Sequence, residues 1–218
     1  MFWSEYCVYY NVKTNLKSMK KILLSLGAAF LLAAGAQAQT SWGLKAGLNF
    51  PKITVSGNGE SESSGTSTNF HVTGYASIPA ATNFAIQPGL SLQGKGGKAD
   101  VLGEDVTTNL MYLEVPVNAV YYIPTGYTGS VFVGAGPYAG LGLSGKVKGG
   151  DESMDIEFGS NADEMKRFDW GFNFLLGYKL NNGFLINGGY GLGLGNLSNV
   201  DGITSNNRVF SVGIGYEF

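Results

Sequence analysis

A two-residue alternation runs through eight separate segments of this chain. In the last of them, Phe210, Val212, Ile214, Tyr216 and Phe218 fall on one face, and Val209, Ser211, Gly213, Gly215 and Glu217 on the other. A period of two means a β-strand with two unlike faces. The segments are Trp42–Phe50, Phe70–Ile78, Phe84–Gln93, Leu110–Ile123, Val131–Leu143, Phe168–Leu180, Phe184–Gly195 and Val209–Phe218. Across all eight, one face carries no charged residue and no Ser, Thr, Asn, Gln or His. The other face holds nearly all the strand glycines and the charges Lys45, Glu114, Asp169, Lys179 and Glu217. Eight such strands with almost no helix between them leave nothing to cover the apolar face except lipid. A Lys or Arg facing lipid at the midplane costs about 2–4 kcal/mol, which accounts for its charge-free composition. The pattern predicts an all-β fold: an eight-stranded antiparallel transmembrane β-barrel.

The connections support this reading. Pro79–Asn83, Pro124–Ser130 and Asn181-Asn182-Gly183 are short, and the last contains a strong hairpin signal. The intervening connections are longer and rich in Gly, Ser, Asn and acids. Short periplasmic turns and long extracellular loops are the outer-membrane pattern. Aromatic residues gather near the strand ends. Trp42, Phe84, Tyr121, Tyr178, Phe184, Tyr216 and Phe218 are expected at the periplasmic rim, and Phe50, Phe70, Phe168, Trp170 and Phe210 at the outer rim. The inverse design, a soluble barrel with an apolar lumen, fails on volume. The charge-free face carries the Trp and most of the Phe, too much bulk for an eight-stranded interior.

The N-terminus reads as an export signal. Lys20 and Lys21 follow Met19, Ile22 to Ala34 form an apolar run, and Ala36-Gln37-Ala38 is a small-x-small cleavage site. Residues 1–38 are therefore the signal region, with the true start expected at Met19 and cleavage after Ala38. Residues 39–218 are the barrel domain. The single Cys7 lies in the removed part, so the mature chain has no thiol for a disulfide or a metal. Cleavage removes four of the 14 basic and one of the 16 acidic residues, which leaves a net charge of −5 and no basic surface for nucleic acid.

Five stretches carry a family resemblance: Gly43-Leu-Lys-Ala-Gly-Leu-Asn49, Phe84-Ala-Ile-Gln-Pro-Gly-Leu90, Tyr112-Leu-Glu-Val-Pro-Val117, Gly134-Ala-Gly-Pro-Tyr-Ala-Gly140 and Gly213-Ile-Gly-Tyr-Glu-Phe218. In this order and strand placement they resemble the PorT-like outer-membrane β-barrel family of Gram-negative bacteria. The resemblance covers the mature chain and implies an integral outer-membrane protein. It brings no catalytic motif, and one member class assists a secretion system. The terminal Phe218 looks like the signal read by barrel-insertion machinery.

An eight-stranded lumen is just wide enough for side chains to fill. Lys45, Glu114, Asp169, Lys179 and Glu217 are expected to form a buried charge network that plugs it, with Lys45–Glu217 a plausible pair because the first and last strands must meet. Pro88, Pro116 and Pro137 lie inside strands and are expected to mark bulges. Gly140-Leu-Gly-Leu-Ser-Gly145 matches a dinucleotide fingerprint, but no helix follows it, so close strand packing is the better account. The Asn196-Leu-Ser198 sequon has no weight in a bacterium. His71, the only histidine, is expected to point into the barrel as an ordinary lumen residue. The connection Ser144–Arg167, with Asp151, Glu152, Asp155, Glu157, Asp163 and Glu164, is expected to be solvated rather than a cation site.

Function reads less sharply than fold. The expectation is a monomeric structural or interaction barrel, accessory to a secretion or envelope complex, with no cofactor and no enzymatic activity. Its expected contacts are outer-membrane lipid and lipopolysaccharide, the insertion machinery and an envelope protein partner. A small transporter or pore is the alternative. A lipid-acting enzyme using His71 is a third.

Overall fold

A computed structural model describes residues 40–57, 59–101, 104–150, 152–161 and 164–218. The signal region with Ala38, and the loop acids Asp151 and Asp163, lie outside the described residues. The strands are β1 (Ser41–Gly57), β2 (Glu60–Ser63), β3 (Asn69–Ala81), β4 (Phe84–Val101), β5 (Glu104–Pro124), β6 (Gly129–Gly149), β7 (Glu152–Asp155), β8 (Phe168–Leu180), β9 (Phe184–Gly193) and β10 (Ile203–Glu217). No helix occurs among the described residues. Eight long strands pair antiparallel in chain order, and β10 pairs with β1 to close the ring. The short strands β2 and β7 fold back on the far ends of β1 and β6. Closure gives every long strand a hydrogen-bonded neighbour on both sides and leaves no sheet edge, the condition for a sheet to sit in hydrocarbon.

Tight turns join β3 to β4 and β8 to β9. Each needs a left-handed residue, supplied by Asn83 at φ 59° and Gly183 at φ 91°. At the opposite end the strands run further than their apolar alternation. β4 continues to Val101 and β5 starts at Glu104, so Gly94–Asn109 is mostly paired hairpin rather than free loop. β1 and β10 likewise stay paired as far as Gly57↔Ile203. Backbone bonding continues there while both faces carry polar residues, so hydrophobic periodicity has nothing to register.

The expected bulges at Pro88, Pro116 and Pro137 are not found. Each proline keeps its partner on one neighbouring strand (Val117, Tyr138 and Phe172) and loses pairing on the other, with the register unchanged across the gap. A missing N–H removes a bond toward one neighbour only, so the ladder skips and resumes. The register shifts lie elsewhere, at Pro79/Ala81 and opposite Met111/Tyr112, where Leu143 is the extra residue.

Burial is inverted relative to a soluble protein. Leu44, Phe174, Leu176 and Ile214 are exposed on the outer face, while Lys45, Asn49, Glu114, Asp169 and Asn207 are buried inside. The inward glycines make room for rings. A Cβ on Gly43 would overlap the Tyr75 ring, and one on Gly177 would overlap the Phe132 ring. In the turn between β5 and β6, Thr125 and Thr128 each lie 2.8 Å from the Tyr178 hydroxyl, so that aromatic is tied at the rim.

Candidate functional site

Among the described residues the lumen gathers the buried charges, in two clusters. The first lies toward the long connections. Lys95 Nζ is 2.5 Å from Glu114 Oε1 and 2.9 Å from Asp169 Oδ2. Asn207 Nδ2 donates to Asp169 Oδ2 at 3.1 Å, and Lys95 donates to the Tyr138 hydroxyl at 3.2 Å. The ammonium lies 4.4 Å from the Tyr138 ring centre and 5.2 Å from that of Tyr112. All these side chains point inward: Lys95 on β4 joins β5, β6 and β8 directly, and Asn207 brings in β10 through Asp169.

The second cluster lies toward the short turns. Lys179 Nζ donates to Glu217 Oε1 at 2.6 Å, and the Tyr75 hydroxyl donates to Glu217 Oε2 at 3.1 Å. Lys179 also lies over the Tyr122 ring at 4.6 Å. Beneath it, Val120, Phe132 and Leu185 form a small apolar core with Tyr122 packed on it.

The expected Lys45–Glu217 ion pair does not form. Register is the reason: Lys45 stands opposite Gly215, and Glu217 opposite Gly43. The Tyr75 ring occupies the space that Gly43 leaves, and Lys45 lies over it at 4.4 Å. Lys45 and Glu217 thus both contact Tyr75 and make no ion pair with each other. Glu114 and Asp169 pair with neither Lys45 nor Lys179.

Lys95 is the buried lumen cation that sequence reading missed. It falls two residues beyond the predicted end of its strand. The signal was available, because Lys95 continues the inward parity of Ser91 and Gln93. Counting it balances the ledger of lumen charge: Lys45, Lys95 and Lys179 against Glu114, Asp169 and Glu217. A balanced set is what a low-dielectric interior demands.

Between the clusters runs a polar layer. His71 Nδ1 lies 2.8 Å from Asn49 Oδ1, Asn49 Nδ2 donates to Gln93 at 2.7 Å, and Thr73 and Ser91 share a 2.5 Å contact. His71 is therefore partnered by an amide rather than a serine. A cavity of about 60 Å³ remains here, bordered by His71, Asn118, Asn173, Asn187 and Ser211 among others. At about 30 Å³ per water, that is room for about two water molecules. The side-chain oxygens of Asn118 and Asn187 have no protein hydrogen-bond partner and border this space.

The connection between β6 and β8 is more ordered than a solvated loop. Phe158 packs edge-on to Tyr112 at 6.2 Å and fills the space left by Gly142. Ile156 packs toward Gly145 and Leu110. The glycines of the fingerprint-like stretch therefore admit loop side chains, on a strand with no helix after it. Asn199 Nδ2 donates to the carbonyls of Gly159, Asn161 and Glu164 at 2.9–3.1 Å and pins the loop. The Asn161 N–H, donating to Glu164 at 2.8 Å, holds that carboxyl below its usual range. Asp155 lies 3.7 Å from Lys146. No cluster of acids, His or Cys suited to a metal occurs among the described residues.

Comparison with known proteins gives one family. A model described as "Outer membrane protein beta-barrel domain" matches residues 36–199. No curated protein matches the sequence. Among solved structures, Neisserial surface protein A is 14% identical with a TM-score of 0.47, covering 83% of this chain and 99% of its own. OprG from Pseudomonas aeruginosa is 16% identical with a TM-score of 0.47, covering 82% and 95%. Ail of Yersinia pestis is 14% identical with a TM-score of 0.42, covering 83% and 99%.

Proposed function

Because the chain belongs to the outer membrane protein β-barrel domain family, and so resides in the bacterial outer membrane, we propose that it serves as a plugged structural and interaction barrel rather than a pore. The observation behind this reading is the filled lumen. The Lys95 cluster with Phe158 above it closes the extracellular half, and the Lys179–Glu217 pair over the Val120–Phe132–Leu185 core closes the periplasmic half. The cavity described between them, bordered by His71 and Asn118, holds about 60 Å³. With the interior occupied, the surfaces left for work are the extracellular hairpins and the lipid-facing wall. An accessory role in a secretion or envelope complex, as in the PorT-like group, fits a barrel of this kind, and its partner is an envelope protein. The exposed terminal Phe218, whose ring packs 5.0 Å from that of Tyr216, suits recognition by insertion machinery. His71, the residue on which an enzymatic reading would rest, is bonded to the Asn49 amide rather than to a hydroxyl, which supports a non-enzymatic reading that needs no cofactor.

One observation favours the transporter alternative. Pairing is skipped at three successive seams of the wall, β3–β4, β4–β5 and β5–β6. Planar-bilayer recording separates the two readings. The plugged barrel shows no steady conductance; a large steady conductance in the unmutated protein rejects it.

A further inference from the structure

The lipid-facing wall carries a pair of cations that the lumen chemistry does not use. Lys52 on β1 and Arg208 on β10 stand directly opposite one another across the closing seam. Both share the outward face with Leu48, Phe50, Phe210 and Val212. Like charges directly opposite in a sheet repel, so this pairing needs a counterion. Among the described residues neither side chain has a carboxylate partner. Arg208 Nη1 donates to the carbonyls of Gly193 at 2.5 Å and Asn207 at 3.0 Å, which fixes the guanidinium against the wall.

The nearest acids are turned away. Glu60 and Glu62 on β2 pair with Gly57 and Val55 and so share the opposite face of β1. Glu62 borders an inner groove together with Ile53 and Val55. The β2 residues that share the face of Lys52 are Ser61 and Ser63, whose hydroxyls bond Ser56 and Thr54 at 3.0 Å. Above Lys52 and Arg208 that face continues with Thr54 and Asn206. Below lies the Phe50–Phe210 ring pair, 6.3 Å apart.

Height decides what meets the cations. Trp42 to Phe50 spans eight residue steps, about 26 Å along the strand at ~3.3 Å per residue, or about 20 Å of height at a ~40° tilt. That nearly fills the apolar band of about 25 Å typical of such barrels. Lys52 and Arg208 lie one pleat further out, about 5 Å above the rings, where the outer-leaflet headgroups begin.

We infer that Lys52 and Arg208 form a clamp for a phosphate group of an outer-leaflet lipid. Cβ atoms of directly opposed residues lie about 5 Å apart, so one phosphate can reach both heads. Guanidinium matches phosphate by paired N–H bonds, and the ammonium adds a point charge. The acyl chains below the phosphate would lie along the Phe50–Phe210 rings. This rests on the outer-membrane location and not on the lumen being plugged.

Native mass spectrometry of the folded mature barrel tests it, with diphosphoryl lipid A, the same lipid with both phosphates removed, and inorganic phosphate as probes. Wild type should retain diphosphoryl lipid A at least about tenfold more tightly than the Lys52→Gln/Arg208→Gln double variant, roughly the effect of losing one charge-assisted hydrogen bond. It should hold the dephosphorylated lipid no better than the variant does. Unheated gel mobility confirms that the variant is folded, and Lys146→Gln/Lys148→Gln should retain wild-type binding. Equal binding by Lys52→Gln/Arg208→Gln and wild type overturns the clamp. Displacement of the lipid by millimolar inorganic phosphate overturns the lipid assignment and leaves only a general anion site.

Discussion

Lys95→Met should be the most damaging single lumen substitution in this barrel. Lys95, Glu114 and Asp169 have side-chain exposures of 4%, 3% and 0%, so water cannot replace the lost ammonium. Removing one partner of a buried ion cluster costs about 3–5 kcal/mol, because the remaining charge is stranded. Here two carboxylates are stranded, and the rings of Tyr138 and Tyr112 lose a cation contact of about 0.5–2 kcal/mol. Lys179→Met provides the scale. Lys179 is 26% exposed, so its loss should cost about 1–2 kcal/mol, between the buried and surface limits. Urea unfolding in lipid vesicles, followed through the fluorescence of Trp42 and Trp170, reads both. The triple variant Lys95→Met/Glu114→Gln/Asp169→Asn removes all three charges and should recover most of the loss. The reasoning is refuted if Lys95→Met costs no more than Lys179→Met, or if neutralising the two acids restores nothing.

The facing of the wall is tested at β10. Single Cys substitutions at Val212 and Ile214 should react with lipid-soluble maleimides and resist water-soluble ones, and equal labelling by a water-soluble reagent contradicts the outward assignment. Ile214→Arg should impair assembly by about 2–4 kcal/mol. Processing after Ala38 should leave Gln39 at the mature N-terminus; N-terminal sequencing that finds Met1 or Phe2 rejects the signal reading.

The outward face was legible because lipid imposes a rule without exceptions on it. Phe210, Val212, Ile214 and Tyr216 could be assigned by parity, and the structure exposes all four. The strands above the hydrocarbon were not legible, since Lys98, Thr107 and Thr108 are hydrated on either face and leave no alternation. That loss of signal hid Lys95, whose parity continued but whose neighbours Gly94, Gly96 and Gly97 read as loop. Lys45–Glu217 failed for a different reason. Closure requires that β1 meet β10 but does not fix which residues face each other, and a shift of two positions decides the pair. The prolines misled because a closed wall was assumed to tolerate them only by bulging, whereas Pro88, Pro116 and Pro137 each forfeit a contact on one side alone.

The seam between β1 and β10 joins the first strand made to the last. β3 can cover one edge of β1 early, but the other must wait for Ile203–Glu217. At ~5–20 residues per second, the chain between them takes roughly 7–30 s to synthesise. Through that interval β1 carries a full row of N–H and C=O groups and a strip of Leu and aromatic side chains without their final partner strand. Nothing in the sheet itself can shorten the wait, because the partner does not yet exist. The shape that makes the mature wall edgeless thus imposes a waiting period on its own biogenesis, and a chain that stopped before Ile203 would never leave it.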